Sequence, residues 1–175
     1  MLRSTLICAL LPVALWAAGS TAQAASPAFG GVWTVRWCAP ESRRDECGGF
    51  TAYLVQKGDR LCGTHFGADE RQNRMDEGEP KSISGVAVGR TAVLTIRSGR
   101  NHGLYLIRAV RKGNTLAWET VETLMEGDNG EPAFVADRDV LKRDTSSQAV
   151  AALNEIARQC AEQDGRADKK TTVEP

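Results

Sequence analysis

The sequence predicts a mainly β protein, an eight-stranded antiparallel up-and-down barrel with one C-terminal α-helix. Short runs rich in Val, Ile, Thr, Tyr and Trp recur through the chain, separated by Gly, Asn, Asp and Pro clusters, the pattern of consecutive antiparallel strands. Lys57-Gly58-Asp59, Gly89-Arg90 and Lys112-Gly113-Asn114 are tight-turn signals, because glycine and asparagine accept the positive backbone angles that hairpins require. From Ser146 to Gln163 there is no turn residue, and the apolar period becomes helical.

In chain order, residues 1–24 carry the three parts of a secretory signal: Arg3, an apolar stretch from Leu6 to Ala18, and the small-residue exit Ala22-Gln23-Ala24. The stretch falls short of the roughly 20 residues that a membrane-spanning helix needs, so cleavage after Ala24 and no membrane span after processing are expected. Residues 25–144 then form the barrel domain, 145–164 the helix and 165–175 a polar, flexible tail. Of 22 basic and 22 acidic residues the mature chain loses only Arg3, which leaves it close to neutral. That balance excludes nucleic acid and anionic membranes as expected partners.

The eight candidate strands are 31–37, 50–57, 60–66, 82–88, 91–97, 103–110, 115–121 and 133–142. Short connections make neighbours in sequence neighbours in space, and closure removes exposed edges. In the helix, Ala149, Val150, Leu153, Ile156, Ala157 and Cys160 share one face, and Thr145 with Gln148 has the spacing of a capping box. Once Cys8 leaves with the signal, Cys38, Cys47, Cys62 and Cys160 remain, an even set for an oxidising compartment. Of the three possible pairings, Cys38 with Cys47 closes the loop between the first two strands, and Cys62 with Cys160 ties the barrel to the helix.

Gly31-Val32-Trp33 opens the first strand, Arg143 closes the last, and a helix follows. This arrangement resembles the lipocalins and wider calycin barrels. The resemblance implies that Trp33 seals the closed end of the barrel and that Arg143 packs over its ring. Small periplasmic inhibitors of lysozymes and metalloproteinases are similar in size, export and barrel design.

No Gly-x-Ser-x-Gly, His-Glu-x-x-His, phosphate loop or dinucleotide fingerprint occurs, so a non-enzymatic protein without catalytic residues, metal or cofactor is expected. His65 and His102 are the two histidines, each a candidate acid, base or ligand that Asp69 or Asp76 would orient. Arg108, Trp118, Tyr53 and Tyr105 are candidates to meet a small apolar or amphipathic ligand inside the barrel. Alternation makes this conditional: Leu104, Leu106 and Arg108 face one way, Tyr105, Ile107 and Ala109 the other. With the second set inward, the interior is dry and nearly filled. Arg43 and Arg44 in the 39–46 loop, and Arg71, Arg74 and Asp76 in the charged 67–81 loop, are candidates to contact a partner protein. The acidic stretch 126–131 reads as a turn. Two functions follow as expectations: a periplasmic or secreted binding protein for a small apolar ligand, or an inhibitor or immunity-type protein that blocks an envelope or secreted enzyme. A filled interior favours the second, an apolar cavity the first.

Overall fold

The computed structural model describes residues 29–43 and 46–171, without the side chains of Asn129 and of residues 163–171. The expected signal and Arg44 lie outside the described residues. Among the described residues nine strands form: β1 (Gly31–Trp37), β2 (Gly48–Lys57), β3 (Arg60–Ala68), β4 (Met75–Glu77), β5 (Ile83–Val88), β6 (Thr91–Arg97), β7 (Leu104–Lys112), β8 (Thr115–Met125) and β9 (Arg138–Asp144). Eight of them, β1 to β3 and β5 to β9, close an antiparallel barrel, because β1 pairs with both β2 and β9 and each remaining strand pairs with its neighbours. Closure gives every barrel strand a partner on both sides over part of its length. The short β4, within the stretch expected to be a charged loop, pairs with the far end of β3 at Phe66↔Glu77 and stands outside the ring.

The two ends of the barrel are built differently. At the base, two-residue turns join β2 to β3, β5 to β6 and β7 to β8, with Gly58, Gly89 and Gly113 at φ of +63°, +60° and +60°. These are the positions the tight-turn signals mark, and no Cβ is tolerated cheaply in that backbone region. At the mouth the connections are long: residues 38–47, 69–82, 98–103 and 126–137. The last of these contains a single 3-10 turn, Asp128–Gly130, and delays the final strand to Arg138, five residues after its expected start.

Alternation on β7 resolves the open choice of faces. Ile107 and Ala109 are buried and Tyr105 packs against the core, whereas Arg108 is exposed. The inward positions hold Trp33, Phe50, Leu54, Ile83, Leu94, Ile96, Ile107, Leu116, Trp118 and Leu141, each at most 2% exposed. Ala52, Ala92 and Ala109 intervene between them, and this mixing of large and small side chains fills a narrow barrel.

The base is sealed as the resemblance implies. Trp33 and Arg143 are directly opposed across β1 and β9, with the guanidinium 4.5 Å from the indole centroid. The indole N–H donates to the Phe29 carbonyl at 2.8 Å, so the buried ring leaves no unpaired donor. Gly31 makes room: a Cβ there would lie 2.8 Å from Arg143 Nη1. Burial, reinforced by the like charge of Arg111, lowers the Arg143 pKa from its ordinary value.

Both expected disulfides are present, Cys38–Cys47 and Cys62–Cys160. The second fastens α1 (Ser147–Thr171) to the outer wall formed by β1, β2 and β3. Ala149 and Cys160 are buried and Leu153, Ile156 and Ala157 half-buried, while Val150 turns to solvent. The helix cap is Ser146 and not Thr145: Ser146 Oγ accepts from the Ala149 N–H at 3.2 Å, and the Ser146 N–H donates to Asp144 Oδ1 at 2.9 Å. The backbone stays helical through Thr171, past Gly165 where the sequence predicts a change to tail, and residues 172–175 lie outside the described residues.

Candidate functional site at the barrel mouth

Among the described residues the buried polar ones are Thr64, His65, Asp76, Ser82, Ser98 and Asn101, and hydrogen bonds join all six into one network under the mouth. Asp76 is its hub. β4 pairs with β3 and so turns this carboxylate inward, away from solvent. Oδ2 accepts from Ser98 Oγ at 2.7 Å and the Phe134 N–H at 3.1 Å, and Oδ1 from the N–H groups of Gly99 at 2.9 Å and Arg100 at 3.2 Å. Asp76 therefore corrects an expectation: fully buried, it is out of a partner protein's reach and ties β3, the 98–103 loop and the 131–136 segment to its own strand. Burial works against its ionisation but is outweighed by the hydrogen bonds and charge of His65, Ser98 and Phe134, so its pKa falls to about 2.

His65 lies inside the top of the barrel, stacked on Phe50 with centroids 5.8 Å apart. Its Nε2 is 3.4 Å from Asp76 Oδ1 and its Nδ1 3.0 Å from Ser82 Oγ. With Asp76 ionised, the facing Nε2 carries a proton. Of the two aspartates considered as orienting groups, the structure brings Asp76 to His65. A serine, a histidine and an aspartate in hydrogen-bonded series form the constellation of serine hydrolases. Attack by such a serine needs an accessible hydroxyl, and here Ser82 is 9% exposed and the His65 side chain fully enclosed. A Cβ on Gly78 would fall 2.1 Å from Ser82 Oγ and 2.4 Å from His65 Nδ1, so the Gly78 backbone lies directly on the pair. Thr64 Oγ1, 3.2 Å from Ser82 Oγ, hydrogen bonds to the Gly78 carbonyl at 2.7 Å and clamps that cover in place. The geometry suits holding rather than attack.

Above this network the loops form a charged rim. Glu41 of the disulfide loop pairs with Arg71 of the 69–74 turn, and the Arg71 hydrogen bond holds the Glu41 carboxyl below its ordinary pKa. Arg43 pairs with Glu46 inside the disulfide loop and Arg74 with Asp69 at 3.3 Å. Arg100 pairs with Glu131 at 2.5 Å, and exposed His102 with Asp128 at 2.8 Å. The guanidinium groups of Arg74 and Arg100 lie 5.3 and 5.7 Å from the Phe134 ring centroid. The Phe134 backbone crosses so close to β3 that a Cβ on Gly67 would meet its carbonyl at 1.8 Å. Residues 131–136 thus fold back over the mouth, where Asn101 Nδ2 holds the Glu131 carbonyl at 2.7 Å.

The four candidate ligand residues do not converge. Arg108 lies on the outer wall, paired with Glu119, because its strand turns Tyr105, Ile107 and Ala109 inward. Trp118 is core, 5.5 Å from Phe50. Tyr53 is on the outer face of β2, half-buried, where burial and then the Asp144 carboxylate raise its phenol pKa. Tyr105 closes the upper core, its hydroxyl 3.5 Å from Asn101 Nδ2. Arg43, Arg71 and Arg74 do share the rim. Sequence reasoning missed Thr64, Ser82, Ser98, Asn101 and Phe134. The glycine-flanked turn 99–103 was the available signal, since a turn this polar needs internal partners for its backbone.

No protein-family model, curated protein or solved structure matches this chain. The fold itself defines a class: a closed, eight-stranded antiparallel barrel with one C-terminal helix, compatible with a lipocalin-like barrel.

Proposed function

We propose that this chain is an exported, non-enzymatic interaction module of the inhibitor or immunity type, lipocalin-like in build, that blocks an envelope or secreted protein with its mouth loops. The filled interior carries the reading. Among the described residues the large inward side chains, Trp33, Phe50, Leu54, Ile107 and Trp118 among them, are at most 2% exposed, and residues 131–136 cross the entrance, which favours this reading over an interior ligand. The rim adds support: its arginines and carboxylates are already paired, and a disulfide limits the 39–46 loop. Loops ordered before binding lose less entropy on complex formation. Export to the periplasm or beyond agrees with the leader and with two disulfides, which persist in oxidising compartments.

Native mass spectrometry of the mature protein, extracted gently from its own cells, tests this. A protein-sized adduct is expected, lost in the Arg43→Glu/Arg71→Glu variant. A bare mass, or an adduct that the variant retains, would overturn the proposal.

A further inference from the structure

A second concave surface lies on the outer wall, beside the helix. α1 packs on β1, β2 and β3, and between it and the wall formed by β2, β3 and β5 lies a groove of about 510 Å³, within the roughly 300–1,000 Å³ usual for small-molecule sites. Val55, Val86, Ala157 and Ala161 give it apolar walls. The Cys62–Cys160 disulfide lines the same groove and fixes the helix to the sheet there, so the cleft stands open without a ligand to wedge it. Its apolar surface continues outside: Val86 is 48% exposed and directly opposite Val93, also 48% exposed.

The charges at its hairpin end are asymmetric. Lys57 and Arg60 both border the groove and are directly opposed across the β2–β3 ladder, an arrangement that costs stability for like charges. Among the described residues neither has a carboxylate partner, whereas Arg108, farther around the same wall, is neutralised by Glu119. A preformed apolar trough with two opposed cations at one end matches one chemistry, a hydrocarbon tail with an anionic head. A protein partner is a poorer match, since stable protein interfaces bury about 1,200–2,000 Å² over broad surfaces rather than in a single trough.

We infer that this groove binds a single-chain fatty acid, with the carboxylate at Lys57 and Arg60 and the chain between α1 and Val55 and Val86. The site is outside the barrel interior.

Isothermal titration of the mature, disulfide-intact protein with laurate, below its critical micelle concentration, tests the assignment, with dodecyltrimethylammonium as the control of equal chain length and opposite charge. One laurate per protein is expected, weakened at least tenfold in Lys57→Gln/Arg60→Gln and at least tenfold in Ala157→Trp, which fills the trough. Both Gln positions are exposed, so near-ultraviolet circular dichroism should be unchanged in that variant. Absence of saturable laurate binding overturns the inference. So does laurate affinity within twofold of wild type in the Gln variant, or equal affinity for the cationic amphiphile.

Discussion

At the scale of single residues, the base of the barrel rests on two side chains, one backbone carbonyl and one missing side chain. Trp33 is fully enclosed, covered by Arg143 and hydrogen-bonded to Phe29. Trp33→Ala should therefore destabilise the protein by about 3–5 kcal/mol in urea unfolding, the usual cost of emptying an aromatic core site. Gly31 matters for what it lacks. Its φ of +143° is unusual for an L side chain, and an added Cβ would meet the Arg143 guanidinium at 2.8 Å. Gly31→Ala should cost about 1–3 kcal/mol through that strain, measured by the same unfolding, and a neutral result would mean that Arg143 moves aside freely. Trp33 and Arg143 were legible in the sequence because strand ends and a resemblance marked them. Asp76 was legible only as a possible partner of a histidine; its burial, and Ser82 altogether, were not, because burial of a polar side chain depends on which backbone donors its neighbours bring, and those come from segments distant in the chain.

Among the elements, the helix depends most visibly on a covalent link. An apolar face of about three turns, from Ala149 to Cys160, and one Ser146 cap are modest support for a helix, and isolated helices are marginal in water. The Cys62–Cys160 bond spans a sequence separation of 98 residues against 9 for Cys38–Cys47. Loop-entropy scaling makes it the more stabilising of the two by about 2 kcal/mol. Replacing Cys62 and Cys160 by serine should cost about 2–5 kcal/mol by urea unfolding, more than the corresponding Cys38/Cys47 double variant. An equal or smaller loss would show that α1 is held by its apolar face alone. Thiol titration of the denatured, unreduced mature protein should find no free cysteine, and two or more reactive thiols would sink the pairing scheme. Strand positions and hairpins were legible because period-two alternation and glycine turns are local signals. β4 was hidden, since three residues among charges carry no period, and the final strand was displaced because Phe134 and Val135 belong to the segment folded over the mouth.

For the whole molecule, the question is what keeps the mouth shut, and the answer turns on one ionised carboxylate. Asp76 accepts from Ser98, Gly99, Arg100 and Phe134 and faces His65, so its charge binds β3, β4, the β6–β7 loop and the β8–β9 connection into one cap. Protonation removes the acceptor strength on which four donors depend. The folded pKa of about 2 lies below the ordinary carboxylate value of 3.8, a depression set by hydrogen bonds outweighing burial. A depressed carboxylate contributes stability that is complete above the unfolded pKa and is lost as pH falls through the folded one. The window is therefore pH 4 down to about 2. Each tenfold loss of proton affinity on folding is equivalent to about 1.4 kcal/mol, which makes the contribution about 2 kcal/mol. Wild-type unfolding free energy should fall across that window by about this amount more than that of Asp76→Asn, which has no charge to lose. Hydrogen exchange should show the reason for the difference: amides of residues 98–103 and 131–136 should lose protection first, while those of β6 and β7 beside the packed interior stay slow. Parallel acid profiles for the two proteins would mean that the cap is held by packing around Phe134 and not by the Asp76 charge.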